Sequence, residues 1–172
     1  MLLKQLGILG CGWLGTQLAL RINSKSWMVK VTRTSENGTF ALTEKGLHSF
    51  RILLSENSLE GDLKFFDNLD KLVVSIPPKR DEAKGFSRKI SHLINYLEMK
   101  NNCSIIFLSS TSVYGKKEGV FDETSTLSPE TESSKELVES EKIILASSFP
   151  SVIVRLGGLV GEDRNPIFQL HK

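Results

Sequence analysis

The sequence predicts a doubly wound α/β domain, a mostly parallel sheet with helices on both faces, and three observations carry that prediction. Short apolar runs rich in β-branched residues alternate with amphipathic stretches, which is the pattern of βαβ units. The run Gln5 to Leu9 passes through Gly10-x-Gly12-x-x-Gly15 into a helical stretch that begins near Trp13. A second strand-like run, Met28 to Thr32, follows where one crossover helix would deliver it.

Six strands are expected, near Gln5 to Leu9, Met28 to Thr32, His48 to Leu53, Lys71 to Ile76, Ser104 to Ser109 and Ser151 to Leu156. Their expected order in the sheet is 3-2-1-4-5-6. The fourth, fifth and sixth are nearly continuous apolar runs, as suits central strands covered on both faces. Helices are expected to begin near Trp13, Phe40, Asp81 and Ser133, with a weaker turn from Gly61 to Phe66. The longest, Asp81 to Lys100, places Phe86, Ile90, Leu93, Ile94 and Leu97 on one stripe, which packs on the sheet. One long loop, Gly115 to Glu132, is rich in Gly, Ser, Thr, Pro and acids, and a loop of that length inside a compact domain is usually functional.

Composition narrows the function classes. A chain of 172 residues is long enough for one domain with a substantial core, so residues 1–172 are read as a single domain. The net charge of +2 is too small for a nucleic-acid surface. The start, Met1 to Leu6, lacks the charged and apolar blocks of a signal peptide, and no run reaches the length of a membrane span. The expected location is the cytoplasm. Cys11 and Cys103 lie too far apart in sequence to suggest a framework or a metal cluster, and His48, His92 and His171 have no metal spacing. No metal is expected, and a homodimer is left open.

The glycines stand where a nucleotide-binding turn demands them. Gly10 permits the tight turn out of the strand, Gly12 lets backbone approach a pyrophosphate, and Gly15 allows the helix to pack closely on the strand. Cys11, Trp13 and Leu14 complete the loop, and the helix N-terminus favours negative charge. These features define a Rossmann dinucleotide-binding turn. An NAD site uses an acid at the end of the second strand to hold the adenosine ribose, but here the strand runs into Arg33-Thr34-Ser35. A guanidinium and two hydroxyls suit the 2′-phosphate of NADP, so NADP(H) is expected in preference to NAD.

After the fifth strand comes Leu108-Ser109-Ser110-Thr111-Ser112-Val113-Tyr114-Gly115, four hydroxyl residues at the carboxyl edge of the sheet, where ligands bind. With the glycine loop, this run resembles the extended short-chain dehydrogenase/reductase superfamily, the NAD(P)-dependent epimerases and dehydratases. The resemblance continues through Pro129 to Lys135, the helix to Glu139, and Val154-Arg155-Leu156-Gly157-Gly158-Leu159-Val160-Gly161. It implies that Ser110 polarises a substrate carbonyl or hydroxyl and that Lys135, preceded by Ser134, holds the nicotinamide ribose. Further, it implies a small-molecule substrate, a sugar nucleotide or another carbonyl compound, with neither nucleic acid nor membrane as partner.

One departure stands out. Where the family places its acid/base tyrosine, four residues before the lysine, this chain has Thr131, and an aliphatic hydroxyl cannot exchange protons near neutral pH as a phenol can. Three readings stay open: another acid or base such as Tyr114, an NADP-binding sensor or interaction module without the chemistry, or an atypical branch of the family. The spelling Gly7-x-x-Gly10 followed by Gly12-Trp13-Leu14-Gly15 is similar to that atypical branch. There Ile76-Pro77-Pro78 after the fourth strand would border the cofactor, and prolines without amide hydrogens offer van der Waals contact. The family's substrate domain lies largely beyond this sequence, and residues 161–172 are read as the start of that truncated segment. A remnant of the fold without function is a further alternative.

Overall fold

The computed structural model describes residues 3–22, 26–78, 83–100, 103–161 and 164–165. Seven strands form one sheet in the order β4-β3-β2-β1-β5-β6-β7. They are β1 (Lys4–Leu9), β2 (Trp27–Arg33), β3 (His48–Leu54), β4 (Leu59–Gly61), β5 (Lys71–Val74), β6 (Ser104–Ser110) and β7 (Ser151–Leu156). All pairings are parallel except β3 with β4. The six expected strands are present in the expected order, and β4 is an addition. It pairs Leu54 with Leu59 and Ile52 with Gly61 at the sheet edge, just before the turn expected from Gly61 to Phe66, which is present as a 3-10 turn over Leu63–Phe66. At Gly61, φ is +111°, and a Cβ would collide with the carbonyl oxygen of Arg51, so this edge requires glycine.

Four helices connect the strands: α1 (Trp13–Ile22), α2 (Glu36–Thr43), α3 (Phe86–Lys100) and α4 (Glu132–Ala146). Strand alternation divides the core into two layers. Leu6, Ile8, Val29, Val31 and Val73 pack with Ala19 and Leu42 of α1 and α2. On the other face Leu9, Leu72, Val74, Ile105 and Phe107 pack with Phe86, Ile90, Leu93 and Leu97 of α3 and with α4. The apolar stripe of α3 is the one its periodicity predicts.

Helix starts follow capping chemistry. Helix α2 begins at Glu36 instead of Phe40, because extended Ser35 accepts the Gly38 amide and caps the first turn. Helix α4 begins one residue before Ser133, with Thr131 as its N-cap. The expected start of α3 at Asp81 lies outside the described residues, and the helix itself starts at Phe86. Strand β5 ends at Val74, two residues short of the expected Ile76, and Ser75 still donates its amide to the Leu9 carbonyl at 2.8 Å.

The first turn of α3 is capped from another helix. Glu136 of α4 accepts the amides of Gly85 at 3.0 Å and Ser87 at 2.7 Å. Partial burial pushes the Glu136 carboxyl up, but the Ser87 and Gly85 bonds and the Arg88 charge outweigh it and hold the pKa below its ordinary value. Replacing Glu136 by Ala is expected to destabilise the fold by about 1–2 kcal/mol. A depressed carboxyl stabilises above the unfolded value of 4.5 and loses that contribution as pH falls through the folded value. Urea denaturation should therefore show a full gap between wild type and variant at pH 7 and a narrower one near pH 3.

No helix among the described residues is long and apolar enough to cross a membrane. Nor do the described residues contain a group of three or more His, Cys, Asp or Glu that could hold a metal ion.

Candidate cofactor-binding site

The glycine loop joins β1 to α1, and its three glycines occupy three different environments. Gly10 has φ +93°, and a Cβ there would lie 2.5 Å from Ile76 Cγ2 and 2.9 Å from the Ile76 nitrogen. A Cβ on Gly15 would lie 2.9 Å from the Gly10 carbonyl oxygen and 3.3 Å from Ile8 Cγ2, so α1 packs directly on β1. At Gly12 a Cβ would meet nothing within 4 Å. The backbone at Gly12 is thus open on the side where a ligand would approach, and the amides of Leu14 and Gly15, in the first turn of α1, have no intrahelical carbonyl to bond.

The loop is held from beneath by a residue the sequence reading did not single out. Thr32, on β2, accepts the Gly10 amide on its hydroxyl at 2.9 Å and the Cys11 amide on its carbonyl at 2.9 Å. Thr16 adds a hydroxyl bond to the Gly12 carbonyl at 2.7 Å and lies 3.5 Å from the Cys11 sulfur. Cys11 itself is fully buried, and burial pushes its thiol pKa up, so its side chain is part of the packing. A buried threonine next to an exposed Arg33 has no distinctive local signature, and its role depends on β1 and β2 being paired.

Two clefts flank the loop. The first, about 390 Å³, is walled by Gly10, Gly12, Arg33, Thr34, Ile76 and Pro77, among others. Three expected stretches thereby converge: the glycine turn, the end of β2, and the segment after β5 share one cleft, with Ile52 of β3 and Lys89 of α3 as further walls. Ser35 is engaged as the α2 cap, and Pro78 lines neither cleft. The second cleft, about 440 Å³, is lined by Trp13, Leu14, Pro77, Ser110, Leu156 and Arg164, among others. The Arg164 guanidinium lies 4.7 Å from the Trp13 ring centre, and Arg164 pairs with Gly161 in an isolated antiparallel bridge.

Ser110 is half-buried in that second cleft, at the carboxyl end of β6. Its oxygen accepts the Ser112 amide at 3.1 Å, capping the 3-10 turn Thr111–Tyr114, which leaves its hydroxyl proton to donate. Lys135, in the first turn of α4, is exposed and lines neither cleft. Thr131 precedes the helix instead of sitting on its face. Its hydroxyl accepts the Ser134 amide at 3.1 Å while its own amide donates to Ser134 Oγ at 3.0 Å, a reciprocal capping box. Tyr114, the nearby phenol, donates to the Asp122 carbonyl at 2.8 Å and accepts from Arg155 at 2.9 Å, so it anchors the long loop.

Beneath Ser110 lies a buried network without a sequence signal. Glu141, 2% exposed, accepts from Arg155 Nη2 at 2.8 Å and from Ser109 Oγ at 2.5 Å. The hydrogen bonds that Arg155 donates to the Glu141 carboxylate, against partial burial, raise the Arg155 pKa above even its ordinary value. The guanidinium also faces the Tyr114 ring at 5.2 Å, and Tyr114 stacks on Phe121 of the loop at 5.1 Å. Strands β6 and β7, helix α4 and the 115–131 loop are thus joined under the second cleft.

Sheet order, glycine turn and flanking helices together define a Rossmann fold of the kind found in the extended short-chain dehydrogenase/reductases, as the sequence resemblance anticipates. Solved structures share it. A protein from Methylobacillus flagellatus assigned as an NAD-dependent epimerase/dehydratase superimposes with a TM-score of 0.75 and 24% identity, over 98% of this chain and 59% of that one. UDP-glucuronic acid 4-epimerase from Bacillus cereus in complex with NAD gives a TM-score of 0.74 and 20% identity, over 95% of this chain and 59% of that one. In sequence, this chain is 32% identical to protein YeeZ of Escherichia coli K12 over 169 residues, 95% of this chain and 62% of YeeZ. The chain therefore spans about three fifths of the length of these proteins. No family model matches it.

Proposed function

We propose that this chain is the NADP(H)-binding part of an oxidoreductase or epimerase-like protein of the atypical extended short-chain class. The observation that carries the reading is the glycine loop: Gly10 and Gly15 are closed by neighbours while Gly12 faces open space, as a pyrophosphate cradle requires. The bound nicotinamide would supply or accept a hydride. Ser110, with its hydroxyl proton still to donate, is the group to polarise a substrate carbonyl or hydroxyl in the second cleft, and Lys135 is assigned to the ribose by the resemblance alone. The substrate class in this reading is a sugar nucleotide or another small carbonyl compound. Its pocket is assigned to the parts of the relatives that lie outside the match. A cytoplasmic setting agrees with two free, buried cysteines.

Preference for NADP(H) rests on Arg33 and Thr34, which line the first cleft at the end of β2. Glu36, the nearest acid along the chain, belongs to the first turn of α2 and is not part of that wall. Fluorescence titration should show NADPH binding more tightly than NADH, with the preference reduced about tenfold or more in Arg33→Ala. Equal affinities in the wild type would overturn the cofactor assignment.

A second reading is favoured by one observation. The Thr131 hydroxyl is held in its capping box and the Tyr114 hydroxyl is bonded on both sides, so neither supplies the family's acid/base. A protein that binds NADPH yet reduces no member of a broad carbonyl panel would be a sensor or interaction module.

A further inference from the structure

Arg33, which lines the first cleft, has a second arginine beside it in the sheet, Arg51, which does not itself line that cleft. Parallel pairing places Arg33 of β2 directly opposite Arg51 of β3, on strands about 4.8 Å apart, and residues in direct register project from the same face. That face is the one covered by α2. Ser49, two residues before Arg51, bonds the Thr39 carbonyl at 2.9 Å and the Thr43 hydroxyl at 2.8 Å. The Arg33 stem lies under the same helix, because a Cβ on Gly38 would come within 3.1 Å of Arg33 Cβ and Cγ. Leu53, two residues beyond Arg51 on that face, lines the cleft together with Arg33.

Both arginines are exposed, and among the described residues neither guanidinium has a hydrogen bond, ion pair or ring contact. Three acids lie near these elements: Glu36 starts α2, Glu60 pairs with Leu53 across β4, and Asp62 donates its amide to the Arg51 carbonyl at 2.9 Å while its carboxylate accepts the Lys64 amide at 3.2 Å; none of the three carboxylates bonds to either guanidinium. Like charges directly opposite on neighbouring strands repel. An anion held between them removes that repulsion, and two guanidinium forks match the oxygens of a phosphate dianion.

We propose that Arg51 is a specificity-determining residue, the second arm of a clamp with Arg33 for the adenosine 2′-phosphate. The inference rests on the NADP(H) reading above and extends it to a residue that lies 18 positions further along the chain. Titration calorimetry with 2′,5′-ADP and 5′-AMP separates the two claims, since the probes differ only in that phosphate. Wild type is expected to bind 2′,5′-ADP at least tenfold more tightly. Arg51→Ala should reduce that preference about tenfold and leave 5′-AMP binding within about twofold, with Arg51→Lys between the two because it restores charge without the fork. Free Arg51→Ala should melt no lower than wild type, which keeps a folding defect from imitating the result. If Arg51→Ala retains the full preference while Arg33→Ala loses it, the clamp is overturned and the cofactor reading stands. Equal losses for both probes also overturn the clamp. A wild type that does not distinguish the probes overturns the NADP(H) reading itself.

Discussion

Replacing Gly12 by Val is expected to leave the free protein folded and to lower its affinity for NADPH by about 100-fold. The two halves of that result have separate causes. A Cβ at Gly12 meets nothing within 4 Å in the protein, so the fold loses little beyond a weaker N-cap, below about 1 kcal/mol. The same side chain projects into the space where a pyrophosphate would approach the first turn of α1. Displacing it forfeits at least two charge-assisted bonds of roughly 1.5 kcal/mol each, which multiplies to about 100-fold. The same change at Gly10 should act differently, since a Cβ there presses on Ile76 at 2.5 Å and φ is +93°, so the free protein should itself be destabilised. Melting curves paired with NADPH titration distinguish the two glycines. Unaltered NADPH binding by Gly12→Val would show that the cofactor does not approach this loop.

Replacing Arg155 by Met is expected to produce the largest loss of stability, about 3–5 kcal/mol, or a fall in Tm of roughly 6–20 °C for a domain of this size. Glu141 is 2% exposed, and its remaining bonded partner would be Ser109, so the variant buries an uncompensated carboxylate. Tyr114 would lose its donor from Arg155 at the same time, loosening the anchor of the 115–131 loop. The double variant Arg155→Met with Glu141→Leu should recover most of the loss, because replacing both members of a buried pair by apolar groups is often neutral. Thermal denaturation of the single and double variants checks both statements. A double variant no more stable than the single would assign the loss to the Tyr114 contacts and not to the stranded carboxylate.

The features legible in the sequence are those whose cause is local or periodic. Gly10, Gly12 and Gly15 could be read because each answers a backbone requirement within six residues, and the α3 stripe because five apolar residues repeat at helical spacing. The same reasoning gave six strands their order. Strand β4 was hidden because Leu59-Glu60-Gly61 is too short for alternation and is defined by its pairing with β3. Thr131 drew attention as a replaced tyrosine, yet the local chemistry of a threonine three residues before Ser134 is that of a cap. Glu141 and Arg155 lie 14 residues apart and Ser109 lies 32 residues before Glu141, so their network exists only once β6, β7 and α4 are packed. Arg51 belongs to the same kind of hidden relation, since its nearness to Arg33 comes from strand register.

The most direct test of the central claim is a crystal structure determined with NADPH bound. The pyrophosphate is expected over Gly12 against the amides of Leu14 and Gly15, the 2′-phosphate at Arg33, and the nicotinamide in the cleft that Ser110 lines. Cofactor bound away from the glycine loop, or crystals soaked to saturation that hold none, would contradict it.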